Sequence, residues 1–361
     1  MQFVGLDVHG EATAISVRSA RGRVLRRLIV PTTSAALRRA FLKTRGRMRI
    51  VCEAGPLARW VRDTLETRLR EVIVCDRRRT RLVAGGSKND KIDADKLSEL
   101  LWKNDLRPVY VPRDSHVFLR RLVTHYLRML RDRSRILFRL RALFLESGIR
   151  VVTPRSAPER VPIHRLRDAG SKYVARSYLA QLKTTSLLLT AVREELLELA
   201  RTFPAFELLQ TVPYVGEMRA AQLIAIVGHP ERFRSRRRFW SYGALGLIQR
   251  TTSEHRVSNG EVVRNERTRG LRLAKTGQPL LKKVLRDIAL FSSLGRGTFR
   301  EIYEAHIARG VKPGTARLAL ARKVAAVIRA VWRSGAPFDA SMMKTQIGAS
   351  GRVSDHEFGL E

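Results

Sequence analysis

Four carboxylates near the start of the chain have positions that suit metal-dependent chemistry. Asp7 comes at the end of the apolar run FVGLD, and Glu53 ends a second apolar run, MRIVCE. Asp90 and Asp93 lie three residues apart in KNDKIDADKL, so they share one face of a starting helix, whereas Asp95 points elsewhere. A carboxylate at the end of a central strand faces the crevice in which α/β sheets bind ligands.

Four such carboxylates would repel one another unless cations lay between them. Hard oxygen ligands suit Mg²⁺, or Mn²⁺ in its place, and two such ions about 3.5–4 Å apart clamp the attacking and leaving oxygens of a phosphodiester. Each residue also has a plain structural explanation. Asp90 could cap a helix, Asp7 could stabilise a turn, and Glu53 could favour a helix start. The joint pattern favours the metal site.

Composition points to a polyanionic partner. The 361 residues include 70 Lys and Arg against 33 Asp and Glu, a formal charge of +37, and such a surface binds nucleic acid by releasing counterions from phosphates. Hydrophobic residues make up 44% of the chain, which excludes a disordered basic tail.

Cys52 and Cys75 each lie in an apolar run and are predicted to be buried, without a zinc site. No apolar run reaches the ~18 residues of a membrane span, so we expect a cytoplasmic protein with no membrane partner.

Residues 1–112 have the pattern of an α/β domain with a mixed sheet. Five strands are predicted, in FVGLDV, TAISVRS, GRVLRRLIVP, MRIVCEAG and REVIVCD. Short links favour antiparallel pairing of the first three, and a helical link favours a parallel pair for the last two. Ser34 is the expected N-cap of the first helix, and Pro56 is expected in the first turn of the second.

The rest of the chain is predicted to be mainly helical. Residues 113–204 form a spacer of two long helical runs, 115–147 and 177–203, separated by the linker VVTPRSAPERVP. The first run is either a core-facing helix or a protruding coiled-coil arm that touches a partner or nucleic acid. Residues 205–340 form a helical domain with one polar insertion at 249–270, and 341–361 are expected to be a poorly ordered tail.

Two segments of the helical domain suit nucleic acid. TVPYVGEMRAAQLIAIVG resembles a helix-hairpin-helix element, in which Gly216 would let backbone amides approach a phosphate, although an ordinary helix–helix turn has the same pattern. The following segment interleaves arginines with aromatic residues, which could hold phosphates and stack on bases, although Trp240 is expected in the core. The residues concerned are Arg234, Arg236, Arg237, Arg238, Phe233, Phe239 and Trp240.

A polar segment further on carries hydroxyl groups. Thr251, Thr252, Ser253 and Ser258 lie between arginines, and such a hydroxyl could attack phosphorus if cationic neighbours lowered its proton affinity. Loop serines are common, so the residue types alone leave the nucleophile open.

The order of these motifs resembles a known family. The chain resembles the DEDD-type insertion-sequence transposases, the bridge-RNA-guided serine recombinases of bacterial mobile elements. The segments that carry the resemblance are, in order, GLDVH, CEAG, KNDKIDADKL, a helical spacer, TVPYVGEMRAAQLIAIVG, YGALGL, a serine-bearing polar segment and RLAKTGQPLLKKVL. The resemblance covers about residues 1–340. It implies an N-terminal RuvC-like domain of the RNase H fold, with Asp7, Glu53, Asp90 and Asp93 as Mg²⁺ ligands.

The resemblance also implies a C-terminal transposase domain whose serine becomes joined to a DNA end. The matching position is Ser253, but TTSEHR departs from the family's Ser-Ser-Gly, so Ser258 in VSNG remains a rival. Lys275 and Gly277 in LAKTGQPLLKKVL would help bind nucleic acid. Family members act as homo-oligomers, dimers or tetramers, on donor and target DNA specified by a structured guide RNA, which implies a bacterial, nucleoid-associated protein.

Two other functions remain open from the residues, and a third is disfavoured. The same metal site could use water, as in a junction-resolving endonuclease, or the protein could be a nucleic-acid-binding scaffold without catalysis. A phosphotransferase with an actin-like fold is disfavoured, because DVHGEA lacks the clustered Gly and Thr that would hold nucleotide phosphates.

Overall fold

The chain divides into two compact units, Met1–Pro112 and Arg113–Glu361. The computed structural model describes residues 1–42, 44, 46–76, 90–112, 114–151, 161–249, 255–258, 261–264, 271–274, 276–341 and 343, with the backbone alone at 90–92, 114, 248–249, 255–258, 262–264 and 271–272. Some predictions concern residues outside this described part: Ser253, Lys275, the linker at 152–160 and the tail from 344 onward.

The first unit is built on a five-stranded mixed sheet. Its strands are β1 (Gln2–Val8), β2 (Ala12–Ser19), β3 (Val24–Pro31), β4 (Met48–Glu53) and β5 (Arg70–Cys75), in the order β3-β2-β1-β4-β5. β1, β2 and β3 pair antiparallel through short connections, while β4 pairs parallel with both β1 and β5. The predicted strands and their mixed pairing are therefore confirmed.

Helices cover both faces of this sheet. On one face α1 (Ser34–Ala40) and α2 (Ala58–Leu65) bury Leu37, Phe41 and Val61 against β1 and β4. On the other lies α3 (Asp90–Trp102), whose Leu97 and Leu101 pack on Val51 and Ile73.

Two predicted helix starts need correction. The hydroxyl of Thr33, not Ser34, caps α1 by accepting a hydrogen bond from the Ala36 amide at 3.2 Å. Thr33 is the cap because its backbone is extended, as an N-cap residue requires. Ser34 is already the first residue of the helix. Pro56 lies before α2 rather than in its first turn, because Leu57 is the N-terminal boundary residue.

Gly5 allows α3 to lie directly on β1. A Cβ atom at this position would come within 2.1 Å of the Ala94 carbonyl oxygen and 2.5 Å of the Ser98 amide nitrogen. Both neighbours are backbone atoms, so the helix would have to move away from the sheet. The absence of a side chain at Gly5 therefore sets the height of α3 above β1.

Gly5→Ala is expected to loosen α3, because overpacking against backbone costs about 1–3 kcal/mol. Amide hydrogen exchange in the full-length protein would report this as a lower opening free energy for β1 and α3. Gly10→Ala is the matched control, since its Cβ would meet nothing within 4 Å, and a change below about 0.5 kcal/mol is expected. Equal protection in the two variants would contradict this account of α3 packing.

The second unit begins with a helical hairpin of α4 (Asp114–Glu146) and α5 (Ala169–Arg201). Six further helices are described after it: α6 (Ala205–Gln210), α7 (Glu217–Val227), α8 (Arg236–Tyr242), α9 (Pro279–Leu294), α10 (Thr298–Ala308) and α11 (Pro313–Ser334). None of the helices that the structure describes is long and apolar enough to cross a membrane.

The polar insertion contains strands that the sequence pattern did not predict. β6 (Leu247–Gln249) pairs with β9 (Leu271–Leu273), and β7 (His255–Ser258) pairs with β8 (Glu261–Arg264), both antiparallel. Each strand has only three or four residues, too few for alternation to be visible in the sequence.

The hairpin helices are antiparallel and have two separate apolar regions. Leu119 and Val123 of α4 join Leu196 of α5 in the main core of the unit. Toward the opposite end, Leu140 packs with Leu182 in a smaller core of its own. The core-facing prediction for α4 is therefore confirmed, since both halves of the helix bury apolar residues. Contact of this helix with a partner or nucleic acid stays a prediction.

Candidate active site and nucleic-acid interface

The ends of two neighbouring strands bring Asp7 and Glu53 together. β1 and β4 run parallel in a register that pairs Leu6 with Cys52, so the next residues along each strand are Asp7 and Glu53. Side chains alternate between the faces of a sheet. Asp7 therefore shares a face with Gly5, on which α3 lies, and Glu53 shares that face with Val51.

α3 runs antiparallel to β1, which directs its first turn toward these carboxylates. At its far end the Trp102 indole donates a hydrogen bond at 3.0 Å to the carbonyl of Ala20, just after β2. Ser19, the residue before Ala20, pairs with Gln2 at the start of β1. The opposite end of α3, which begins at Asp90 and includes Asp93, consequently lies toward the carboxyl end of β1.

Three of the four predicted carboxylates thus approach one edge of the sheet from two strands and a helix. The side chain of Asp90 is outside the described part. Among the side chains that are described, no group of three or more His, Cys, Asp and Glu is close enough to hold a metal ion. The donor chemistry fits a hard divalent cation, since these described candidates offer carboxylate oxygens.

Two residues at this edge were missed by the sequence reasoning. The Nε2–H of His9 donates to Oδ2 of Asp7 at 3.2 Å, and the side chain of Asp7 is 16% exposed. A histidine hydrogen-bonded to a carboxylate can fix the orientation of that carboxylate as a ligand. Asp76 directly follows β5, and the strand-end pattern that selected Asp7 and Glu53 could have found it.

Asp95 has a different partner, as its position in the helix predicted. Its Oδ2 accepts from Arg27 Nε of β3 at 2.6 Å. Next to this ion pair, the hydroxyl of Ser98 donates to the Asp95 carbonyl at 2.8 Å and lies 3.3 Å from the hydroxyl of Ser16. Ser16 and Ser98 are buried, so these polar contacts attach α3 to β2 and β3 and fix its position along the sheet.

The two thiols near this edge are chemically inert. Cys52 and Cys75 are buried, as predicted. Burial, and then the negative charge of Glu53, raises the pKa of each thiol to about 12. Both therefore stay protonated near neutral pH and are poor nucleophiles.

The predicted arginine cluster forms an exposed surface at α8. Arg234, Arg236, Arg237 and Arg238 are all exposed. The aromatic residues between them are not available to bases, which corrects the stacking prediction. Phe233, in the segment before α8, and Phe239, in α8, are both buried in the main core and pack edge to face with ring centroids 5.1 Å apart.

Trp240 is half-buried against the main core, with its indole donating to the Arg322 carbonyl at 2.9 Å. Arg236 lies over its ring, with the guanidinium carbon 5.8 Å from the centroid. The tryptophan therefore has a packing role, as expected, and also supports one of the exposed arginines.

Gly216 lies in the turn that joins α6 to α7. It is the N-terminal boundary residue of α7, and a Cβ there would meet nothing within 4 Å. The turn is held in place by Tyr214, which has a φ of 65° and whose hydroxyl accepts from the Arg296 amide at 3.1 Å. Glu217 in the first turn pairs with Arg201 at 3.0 Å.

Gly277 has a clear packing role. A Cβ at this position would come within 2.7 Å of the backbone nitrogen and the Cβ of Ala244. The chain before α9 therefore passes directly over the end of α8, and the Gln278 amide donates to the Tyr242 carbonyl at 2.7 Å.

The first unit has a mixed sheet with acidic residues at its strand ends, and a basic helical unit follows it in the chain. This architecture is that of an enzyme with an RNase H-like transposase domain. Comparison with family models agrees. Residues 4–148 match the DEDD-type IS110 model, described as a transposase, and residues 206–304 match the transposase IS116/IS110/IS902 family. The chain belongs to the IS110-type DEDD transposases, enzymes that transfer DNA strands in transposition and recombination. A search of curated proteins found no match.

Proposed function

We propose that this transposase is an RNA-guided recombinase in which Asp7, Glu53, Asp90 and Asp93 bind Mg²⁺ and Ser253 forms a covalent bond to DNA. The observation that carries the proposal is the approach of Asp7, Glu53 and the first turn of α3 to one sheet edge in a member of the DEDD transposases. The bound cations would supply electrostatic stabilisation of the phosphate charge.

The residues of the chain have defined tasks in this proposal. His9 orients Asp7 through its hydrogen bond at 3.2 Å. The hydroxyl of Ser253 attacks phosphorus, so that an Oγ–P bond forms, the bond from phosphorus to one deoxyribose oxygen breaks, and that oxygen takes up a proton. Attack on the phosphoserine by a deoxyribose hydroxyl of another DNA end then releases the serine and joins the strands.

The helical unit would bind the nucleic acids. Arg234, Arg236, Arg237 and Arg238 offer an exposed cationic surface to phosphates. The same proposed interface includes Lys275, Gly216 and Gly277. Donor and target DNA must both be held while strands are exchanged, so the active form is proposed to be a homodimer or tetramer.

RNA guidance is tested by sequencing the RNA that co-purifies with the protein from cells carrying the natural flanking DNA of its gene. A single abundant RNA that maps beside the gene is expected. DNA strand exchange should then require that RNA and change its target when the RNA sequence is changed. A heterogeneous mixture of cellular RNA, together with strand exchange that needs no RNA, would contradict guidance and leave an unguided enzyme.

A further inference from the structure

One face of α4 has an unusual row of arginines. Five of them recur at spacings of seven, three, four and four residues, so they lie along one side of the helix. All five are exposed, and we call them the arginine stripe: Arg121, Arg128, Arg131, Arg135 and Arg139. From Arg121 to Arg139 the stripe extends about 27 Å at 1.5 Å per residue.

Packing of the hairpin explains why the stripe faces solvent. Apolar residues of α4 are buried on its other side. Leu119 and Val123 belong to the main core, and Ile136, Leu140 and Phe144 belong to the smaller one. Since α5 and the core hold this apolar side, the stripe is directed away from the main partner helix.

The charge on this face is poorly compensated within the chain. Arg135 pairs with Asp132 at 2.9 Å. The described residues provide no such carboxylate partner for Arg121, Arg128, Arg131 or Arg139. Arg131, Arg135 and Arg139 follow at successive four-residue steps, and like charges at this spacing destabilise a helix. An ordinary solvated face mixes both signs, so the stripe fits a surface whose counter-charge comes from a partner.

We propose that the arginine stripe binds the phosphate backbone of a nucleic-acid duplex along the length of α4. Base pairs of B-form DNA repeat every 3.4 Å, so about 27 Å of helix can follow roughly eight of them. Phe138 lies beside the stripe and is 66% exposed, which gives the same surface an aromatic group for an unpaired base at a duplex end.

This inference rests on the proposed function only in taking a polynucleotide as the partner. Neither Ser253 nor the carboxylates contribute to it. Guanidinium groups recognise phosphates in DNA and in RNA, so both are sources of the same ligand chemistry. Separate DNA and RNA probes distinguish these two ligands.

The test compares two full-length variants with the same charge removed. The first is Arg128→Gln, Arg131→Gln and Arg139→Gln in the stripe, and the second is Lys172→Gln, Arg176→Gln and Lys183→Gln on α5 of the same hairpin. Kd is measured between 50 and 300 mM salt for a 30-base-pair DNA duplex and for an RNA hairpin of equal stem length. Circular dichroism checks that both variants keep the helix content of the unmodified protein.

Loss of three phosphate contacts should reduce the slope of log Kd against log salt by about 2–3 and weaken binding on the order of 10²-fold at 0.1 M salt. The α5 variant should change much less. Weaker binding of both probes by the stripe variant supports a contact to either duplex. Weaker binding of only one probe shows whether the bound phosphates belong to DNA or to RNA. Equal affinities and slopes in the two variants would overturn the proposal. The stripe variant is also tested for DNA adducts at saturating DNA. Adducts formed by this variant show that the proposed serine chemistry holds whether or not the stripe binds nucleic acid.

Discussion

Replacing Asp7 with asparagine is expected to lower the rate of DNA strand cleavage by at least about 10³-fold. The substitution keeps the shape of the side chain and the oxygen that accepts from His9 at 3.2 Å, but it removes one negative charge at the sheet edge. Metal-supported charge stabilisation at a phosphate is worth several kcal/mol, and each 1.36 kcal/mol is about tenfold in rate. The measurement is single-turnover cleavage of labelled donor DNA with Mg²⁺ at saturating protein.

Asp95→Asn is the matched control for this experiment. Asp95 lies in the same acidic stretch, yet its carboxylate pairs with Arg27 at 2.6 Å instead of facing the proposed site. The pair is partly exposed, so its loss costs about 1 kcal/mol or less, and less than about a tenfold change in rate is expected. Full cleavage by the Asp7 variant, or equal losses in both variants, would rule out the proposed role of Asp7.

Ser253→Ala is expected to abolish covalent protein–DNA adducts and to lower strand exchange at least about 10³-fold, because removal of a nucleophile leaves only residual catalysis. The change deletes a single hydroxyl oxygen, and DNA binding should persist. Adducts are detected as end-labelled DNA that migrates with the denatured protein in a gel. Binding of the same DNA by the variant, measured in parallel, shows that the loss lies in chemistry.

Ser258→Ala distinguishes the two candidate serines. Ser258 is the last residue of β7, and its variant should still form adducts if Ser253 is the nucleophile. Adducts that persist in the Ser253 variant and disappear in the Ser258 variant would reassign the role. Cleavage without adducts in the unmodified protein and in both variants would instead favour attack by water, as in a junction-resolving endonuclease.

Local sequence patterns predicted much of the first unit. Alternating apolar residues and β-branched runs located β1 to β5, and connection lengths predicted which pairs are antiparallel. The apolar runs of β1 and β4 each reach a carboxylate in their last two residues, so the amino-acid sequence is sufficient to place Asp7 and Glu53 near strand ends. Their proposed role in metal binding stays a prediction.

Contacts between distant segments could not be predicted in the same way. Thr33 rather than Ser34 caps α1, since adjacent hydroxyls look alike in sequence and only the backbone angles separate them. Phe233 and Phe239 lie next to arginines in the chain, yet the packing of α8 and of the segment before it on the main core buries both. The residues of a single segment do not show which of its sides will face a partner.

The sequence by itself determined the basic charge, the five strands, the long helices and the acidic residues near the ends of β1 and β4, because propensity and periodicity act within a few neighbouring residues. Only the tertiary structure decided that α3 lies on Gly5 and runs antiparallel to β1, that Asp95 pairs with Arg27, and that the arginine stripe faces solvent. These outcomes depend on backbone approach and burial between residues far apart in the chain, where steric fit rather than local preference sets the free energy.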